Sequence, residues 1–340
     1  MRGEKALKPV PVAGRDGGDR VPIALLPDRE LDETSPPAWG APVKQLFAKV
    51  SGPQWGTAHR PIFVTSSNFG VGSLHAHRRT GETAHLAFGS PHACVDWLRN
   101  KQGWGENFSI LSHACVSAHL GLVQAARLVG AGLAEQALVV TFDFISPFVS
   151  GGFHALKILN ADFPAPYMNR ATGSIGLGDG AAYAVLSRDG DGFRILGQSL
   201  YNEMFHFTAN QPDGTGFATC FTPLMEKAKG LRLWVKGHGT GTLDAGRLES
   251  TRFAALFPEA PLVGWKGSLG HTLGSCGLVE LAIAVESIRA GRSPGTVGSS
   301  QPVFTPGVAL EPFSTREFDA VLCASNAFGG AHAGLLLAHD

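Results

Sequence analysis

Three residues, Cys115, His238 and His271, have the types and settings that nucleophilic acyl chemistry needs. Cys115 follows the apolar run FSIL and precedes a stretch of small and aliphatic residues, which predicts a turn from a strand into a helix. A thiol at a helix N-terminus is stabilised as thiolate because unpaired backbone N–H groups point at it. The same turn offers N–H donors to an oxyanion. A buried structural cysteine is the alternative, since free cysteine is among the most buried residue types.

Each histidine lies in a glycine-rich loop beside a predicted strand or helix. His238 belongs to GHGTGT, directly after a predicted strand, and His271 belongs to GHTLGSCG, directly before a predicted helix. Such loops are where α/β folds place functional groups. Taken alone, either histidine also fits a hydrogen-bonded loop or core residue. A phosphate-binding loop is a further alternative, but GTGTLDAG fits that fingerprint badly and no Walker lysine follows.

The elements that must position these residues alternate between strands and helices, which predicts an α/β fold with helices covering buried sheets. Strands are predicted at residues 62–65, 108–111, 137–142, 181–186, 193–198, 233–236, 263–265, 321–324 and 334–338. Helices are predicted at residues 90–102, 115–132, 247–256 and 278–290. We expect a mobile tail at 1–20, a loop-rich stretch up to residue 60 and an irregular segment at 146–180.

The composition of the 340 residues excludes several classes of protein. Hydrophobic residues make up 44% and charged residues only 16%, so most of the chain is not disordered and must bury a large core or interface. The 28 basic and 28 acidic residues cancel, which argues against bulk nucleic-acid binding. Five cysteines without a CxxC pair argue against a disulfide framework or a zinc cluster and favour a reducing cytoplasm. We expect no secretory signal and no membrane span.

Six segments, in order along residues 60–340, resemble those of the β-ketoacyl synthases of the thiolase superfamily. They are SHACVSAHLGLVQAARLVGAG around Cys115, LGDGAAYAVL, PDGTG, KGHGTGT with Glu249 eleven residues after His238, KGSLGHTLGSCG with Lys266 five residues before His271, and SNAFGGAHAG. Each segment alone is a weak signal. Together and in this order they are a specific one.

The resemblance implies a thiolase-like fold, in which two similar α/β halves pack as five α-β-α-β-α layers. It predicts a divergent N-terminal region at 1–60, a first half at 61–190 that carries the nucleophile, and a second half at 191–340 that carries both histidine motifs. It also implies a homodimer, or a heterodimer with a related ketosynthase. In that dimer the strand at 137–142 is expected to pair across the two-fold axis.

The resemblance further implies a decarboxylative Claisen condensation of an acyl thioester with a malonyl thioester. Cys115 would hold the acyl group, and His238 and His271 would receive the malonyl carbonyl oxygen as CO2 leaves. The second histidine favours the elongating type of synthase. An ion pair between Lys266 and Glu249 would orient His271.

The substrates are expected to be carried on phosphopantetheine, by an acyl carrier protein or coenzyme A, with no bound cofactor and no metal. The backbone N–H of Cys115 and one from the 326–330 loop would bind the oxyanion. The residues implied to bind the substrate are Thr240, Thr242, Phe328 and Gly329.

The chain also departs from the family pattern. Residues 1–60 do not match it, the segment between 70 and 110 looks abbreviated, and Met168 stands where an acidic residue is expected. These departures leave two alternatives open. One is a partner subunit like a chain-length factor, and the other is a thiolase-fold acyltransferase or hydrolase that uses Cys115 without decarboxylation. The retained Cys115 favours a condensing enzyme of fatty-acid or polyketide-type biosynthesis.

Overall fold

A computed structural model of the protein describes residues 5–12, 18–31, 35–190 and 192–339. The α-helices are α1 Gly40–Ala48, α2 Val71–Thr80, α3 Pro91–Gln102, α4 Ser117–Gly130, α5 Pro147–Ala155, α6 Thr215–Lys227, α7 Leu243–Leu256, α8 Lys266–Leu269 and α9 Cys276–Arg289. The strands are β1 Lys8–Pro11, β2 Arg20–Ala24, β3 Ile62–Thr65, β4 Phe108–Leu111, β5 Gln136–Asp143, β6 Leu177–Gly178, β7 Gly180–Ser187, β8 Phe193–Asn202, β9 Leu233–Lys236, β10 Leu262–Val263, β11 Arg292–Ser293, β12 Phe313–Ser314, β13 Ala320–Ala327 and β14 Ala331–His339. None of these helices is long and apolar enough to cross a membrane.

Two main sheets share one pairing pattern. The first has the order β4-β3-β5-β7, with β3 parallel to both β4 and β5 and with β7 antiparallel to β5. The second has the order β10-β9-β13-β14-β8, with β9 parallel to both β10 and β13 and with β14 antiparallel to β13 and β8. Each half of the chain therefore contributes three parallel strands and an antiparallel strand beside them. This shared pattern is what a fold of two similar halves predicts.

Helices α4 and α9 lie between the two sheets. Helix α4 contacts β3 and β5 on one side and β8 and β14 on the other, while α9 packs against β7 and β13. Helices α1 and α3 cover the outer face of the first sheet with one apolar cluster, and α6 and α7 cover the outer face of the second with another. The order is α-β-α-β-α, which confirms the five-layer, thiolase-like fold.

Helix α4 is buried on both sides because its residues are small and aliphatic. A Cβ on Gly121 would lie only 2.7 Å from Thr65 Cγ2 and 3.1 Å from Val139 Cγ1, so the helix packs too closely on the first sheet for a side chain there. This packing carries the residues just before α4 into the interior of the protein. Cys115 is one of them.

Most of the predicted elements are confirmed, and the strands at 62–65, 108–111 and 233–236 have the predicted bounds. Two expectations are wrong. The segment 146–180 is not irregular throughout, because it contains α5, and the region before residue 60 contains β1, β2 and α1. The prediction also missed α2, which follows the turn after β3. Helix α5 carries a start signal that the prediction missed: Pro147 is its first residue and the Ser146 hydroxyl accepts the Val149 N–H.

The predicted pairing of the strand at 137–142 across a two-fold axis is also wrong. Strand β5 lies inside the first sheet, and both of its edges are already paired, one with β3 and one with β7. Among the described residues, the outermost strands of this sheet are β4 and β7. A partner that extends the sheet must therefore pair with one of those two.

Residues 20–31, most of which were expected in the loop-rich stretch, pack into the first half. Strand β2 pairs with β6, and Arg29 forms a fork with Asp179, with Nε to Oδ2 at 2.7 Å and Nη2 to Oδ1 at 3.1 Å. The exposed fractions of these two side chains are 1% and 0%. The same carboxylate accepts the backbone N–H groups of Leu26 and Ile145. The boundaries at residues 60 and 190 remain predictions.

Replacing Arg29 by methionine is expected to lower the free energy of unfolding by about 3–5 kcal/mol, because the buried Asp179 loses its cation. Urea unfolding followed by circular dichroism measures the loss. The matched control is Arg60→Met, which removes a partly exposed ion pair between Arg60 Nη2 and Glu135 Oε2, 3.5 Å apart. It should lower the free energy of unfolding by about 0–1 kcal/mol. Equal losses in the two variants would contradict the structural role given to Arg29.

Candidate active site

The structure brings Cys115, His238 and His271 together. The thiol sulfur and one ring nitrogen of each histidine all lie within 4.8 Å of one another. His271 Nε2 is 3.0 Å from Cys115 Sγ, and the two imidazole rings meet edge to face with their centroids 4.9 Å apart. All three side chains are buried. One nucleophile and two nitrogen donors or acceptors thus surround a single reacting centre.

Cys115 lies in the tight turn between β4, which ends at Leu111, and α4, which begins at Ser117. Ala114 has a left-handed backbone with φ of 43°, a conformation that strains a residue other than glycine. Ser117 stabilises the turn, because its Oγ accepts the His113 N–H at 2.8 Å and donates to the Ala114 carbonyl at 2.7 Å. Backbone geometry therefore holds the thiol in front of the helix N-terminus.

The expected stabilisation of a thiolate by that helix N-terminus is outweighed by burial. Burial raises the pKa of the Cys115 thiol above its usual value, and the neighbouring Cys276 raises it further. Lys266 and the Phe328 backbone N–H lower this pKa only in part. The resting group is a thiol, and acyl transfer must remove its proton. The Leu273 N–H donates to His271 Nδ1 at 3.2 Å, so the neutral ring carries its proton on Nε2, which lies 3.0 Å from Sγ and can donate to the sulfur as it becomes a thiolate.

Both histidines are neutral. Burial lowers the pKa of His238 and of His271 well below the usual value, and the positive charges of Lys266 and Lys236 lower both further. A neutral imidazole can donate an N–H or accept a proton, as acyl chemistry requires. The same two ammonium groups oppose a metal cation at the cysteine and histidines. The donor set therefore fits catalysis better than metal binding, and the absence of a metal remains a prediction.

Glu249 holds the His238 loop through the backbone. Its carboxylate is buried and accepts four hydrogen bonds. The donors are the backbone N–H groups of His238 and Gly239, the Tyr167 hydroxyl at 3.0 Å and the Asn326 side-chain amide at 3.2 Å. Burial raises the pKa of Glu249, while the hydrogen bonds from Gly239, His238 and Tyr167 lower it. Glu249 thus links the His238 loop to β13 without touching the thiol.

The predicted ion pair between Lys266 and Glu249 is wrong. Lys266 instead pairs with Glu280 of α9, at 2.6 Å between Nζ and Oε1. Its Nζ also donates to the His238 carbonyl oxygen at 2.7 Å, so Lys266 orients the His238 loop and not the His271 ring as expected. The reason is that Glu249 already accepts the N–H groups of the His238 loop, together with the Tyr167 hydroxyl and the Asn326 amide.

Sequence reasoning missed two further charged residues at this centre. Glu280 accepts a second lysine, Lys236, on its other oxygen, and Lys236 Nζ also donates to the Ala324 carbonyl at 3.0 Å. The side chains of both lysines and of Glu280 have an exposed fraction of 0%. A usable signal was present, because Lys236 ends the apolar run LWVK and Glu280 lies within the apolar helix CGLVELAIAVESIR. Charges inside apolar elements require buried partners.

A cavity of about 890 Å³ opens onto Cys115 and both histidines. Three of the four predicted substrate-binding residues line it, namely Thr240, Thr242 and Phe328. The Phe328 ring stacks on Phe153 with centroids 5.9 Å apart. Gly329 is not part of the lining that the described residues form. Its N–H donates to the Phe207 carbonyl at 2.9 Å, so it shapes the loop that carries Phe328.

Comparisons with known proteins agree with this architecture. A family model for the C-terminal domain of β-ketoacyl synthase matches residues 193–300. The tetracenomycin polyketide synthase ketoacyl synthase alpha subunit of Streptomyces glaucescens is 28% identical over 272 residues, which cover 72% of this chain and 62% of that protein. The 3-oxoacyl-(acyl-carrier-protein) synthase 2 of Coxiella burnetii is 28% identical over 258 residues, which cover 68% of this chain and 62% of that protein. The match thus spans about three-fifths of the length of these relatives.

Solved structures show the same fold over nearly the whole chain. A β-ketoacyl synthase from Burkholderia phymatum has a TM-score of 0.79 and 18% identity, covering 99% of this chain and 93% of its own. The ketosynthase ApeO in complex with its chain length factor ApeC, from Xenorhabdus doucetiae, has a TM-score of 0.75 and 20% identity. The alignment covers 99% of this chain and 90% of that chain. The fold is that of the ketosynthases. The resemblance to β-ketoacyl synthases that the motifs indicate is confirmed.

Proposed function

We propose that the protein catalyses decarboxylative Claisen condensation of an acyl thioester with a malonyl thioester, as an elongating β-ketoacyl synthase. The observation that carries this proposal is the contact of 3.0 Å between Cys115 Sγ and His271 Nε2, with His238 edge to face against His271. A thiol nucleophile beside two neutral imidazoles supplies the groups that both half-reactions need.

In the first half-reaction, the Cys115 thiol attacks the carbonyl carbon of the acyl thioester. Its proton is released as the bond between sulfur and carbon forms, and the His271 Nε2–H stabilises the negative charge that develops on sulfur. The backbone N–H groups of Cys115 and Phe328 stabilise the tetrahedral oxyanion, and the Phe328 N–H already faces Sγ. The bond to the pantetheine sulfur then breaks, and that thiolate takes up the proton.

In the second half-reaction, the carbonyl oxygen of the malonyl thioester accepts hydrogen bonds from the two imidazoles. The bond to the malonyl carboxylate breaks, CO2 leaves and the electron pair forms an enolate whose oxygen His238 and His271 stabilise. The enolate carbon attacks the acyl carbonyl, the bond to Cys115 sulfur breaks and the leaving thiolate takes up a proton from water. Neutral donors suit this step, because the developing charge lies on oxygen in a buried site.

The cavity suits substrates carried on phosphopantetheine, by an acyl carrier protein or coenzyme A. The hydroxyls of Thr240 and Thr242 lie 3.0 Å apart on its wall, where they can hydrogen-bond an amide of the arm. The same cavity is lined by three cationic side chains, Lys157, Arg247 and Arg252, and by one carboxylate, Asp244. This excess of positive charge suits a phosphate.

We place the protein in a reducing cytoplasm, a proposal that its five free cysteines support.

Two measurements on the same preparation test the proposed function. Intact-protein mass after incubation with a panel of acyl-carrier proteins and acyl-coenzyme A reports acyl loading. Release of labelled CO2 from a malonyl thioester, with formation of a β-ketoacyl product, reports condensation. Loading without CO2 release would support the alternative of an acyltransferase or hydrolase. Neither activity without a related ketosynthase, but both with it, would support a partner subunit, which the retained Cys115 argues against.

We expect the protein to be a dimer, with a second copy or a related ketosynthase pairing at the edge of β4. That edge is unpaired among the described residues, and Phe108, Ile110 and Leu111 are only half-buried there. Sedimentation should give twice the 35.7 kDa of one chain, and Ser109→Lys should shift it to monomer because lysine on an edge strand opposes pairing. Val185→Lys on β7 is the matched control and should remain dimeric. A soluble monomer at micromolar concentration that condenses both thioesters would contradict the proposal.

A further inference from the structure

Lys236 is a buried cation for which the proposed mechanism has no use. Its Nζ donates to Glu280 Oε2 and to the Ala324 carbonyl, while Lys266 occupies Glu280 Oε1. The carboxylate of Glu280 therefore binds two ammonium groups, one on each oxygen. Burying an ammonium fully costs free energy unless the group is paired and hydrogen-bonded, so the role of Lys236 must lie in the partners that it binds.

The position of Lys236 ties together the two strands that carry catalytic groups. Lys236 ends β9, two residues before His238, and in the sheet it lies opposite Cys323 of β13. Its ammonium reaches the carbonyl of Ala324, two residues before Asn326, in the strand that leads to Phe328. One side chain thus joins the loop of His238 to the loop that carries the Phe328 N–H.

The charge of Lys236 also balances the centre. Two lysines, Lys236 and Lys266, face two carboxylates, Glu249 and Glu280, and the loss of Lys236 would leave both carboxylates against one ammonium. The titratable groups around Lys236 come from every element packed against it. They are His238 after β9, Glu249 of α7, Lys266 of α8, His271 before α9, Cys276 and Glu280 of α9, His119 of α4 and Cys323 of β13.

We propose that Lys236 is a positioning residue for the condensation step. It binds the Glu280 oxygen that Lys266 does not use, and it fixes the His238 loop against the end of β13, which leads to Phe328. This inference rests on the proposed function. Lys236 does not touch substrate, since it is not part of the cavity lining. It acts through Glu280, Ala324 and the charge that it places near the two imidazoles.

Lys236→Met tests the proposal, because methionine fills the same space without the charge. We expect the turnover of condensation to fall about 10²-fold, as small displacements of catalytic groups do, with little change in KM. Lys236 lowers the pKa of both histidines, so its removal raises them, and the acid limb of the pH–rate profile should move to higher pH. Acyl loading of Cys115 at neutral pH should be spared. The matched control is Lys227→Met, which removes an exposed lysine bonded to the Leu196 carbonyl and should change none of these.

Two readouts keep the test decisive. The imidazole titration of His238 and His271, followed by 15N nuclear magnetic resonance, should shift to higher pH in Lys236→Met even if the wild type condenses nothing, which separates this inference from the proposed function. If Lys236→Met does not fold, the double variant Lys236→Met/Glu280→Gln restores the charge balance and should refold with part of the condensation activity. A folded Lys236→Met protein with an unmoved acid limb and unmoved imidazole titrations would overturn the proposal, even if its stability were lower.

Discussion

A protein in which alanine replaces Cys115 is expected to take up no acyl group from any acyl thioester, and its condensation activity is expected to be lost completely. The physical reason is that, among the described residues, only Cys115 has its sulfur 3.0 Å from a histidine nitrogen and facing the Phe328 N–H, in contact with the cavity. Intact-protein mass spectrometry after incubation with acyl thioesters measures the loss directly. Peptide mapping of the wild-type protein should find the acyl group on Cys115 alone.

The matched control for Cys115→Ala is Cys276→Ala. Cys276 is also fully buried and its Sγ donates to the Cys115 carbonyl at 3.3 Å, but it does not line the cavity. Its removal should preserve loading, and it should lower the pKa of Cys115, because Cys276 raises that pKa in the wild type. Loading that persists in Cys115→Ala would mean that another cysteine is the nucleophile and would end the proposed mechanism.

Replacing His238 by alanine is expected to lower decarboxylative condensation by about 10²–10³, the usual cost of removing one donor to a developing oxyanion. Loading of Cys115 should change little, because it is His271 and not His238 that contacts the thiol. The CO2-release assay and the loading assay, run on the same protein, separate the two half-reactions. His238→Asn, which keeps an N–H donor, should recover part of the lost rate.

His271→Ala is expected to affect both half-reactions and condensation more. Loading slows because the sulfur loses the Nε2–H that stabilises it as a thiolate, and condensation also loses that N–H as a donor to the enolate oxygen. The two histidine variants should therefore differ in loading and resemble each other in CO2 release. If both variants lost both activities equally, while remaining folded, the histidines would be structural and not chemical.

Local sequence was sufficient to locate the chemistry. The strand, turn and helix around Cys115 follow from an apolar run, a short polar turn and a run of small residues, all of which act within a few residues. The glycine-rich settings of His238 and His271 are likewise local. Because each element carries its own pattern of apolar residues, the alternation of strands and helices, and hence the α/β class, could be predicted before any contact was known.

The ion pairs could not be predicted in that way. Lys266 had Glu249 and Glu280 as possible partners, and the choice depends on which carboxylate the folded loops already use. Glu249 is saturated by N–H groups of the His238 loop, so Lys266 turns to Glu280, and Lys236 joins from the neighbouring strand. Such pairings depend on the packing of α7 and α9 around β9, which no local pattern specifies.

The protonation state of the nucleophile was decided in the same way. A helix N-terminus favours a thiolate, and that local effect led to the expectation of an acidic cysteine. Only tertiary structure shows that α9, β13 and β14 pack around Cys115 and that the cost of burying a charge exceeds what the N-terminus and Lys266 supply. The neighbours of β5 in the sheet were also decided by tertiary structure. The pattern of hydrophobic residues indicates that a strand is buried, but it does not indicate which strands lie beside it. Residue type and local spacing therefore determined which groups could react, whereas long-range packing determined their partners, their charges and their order in the sheet.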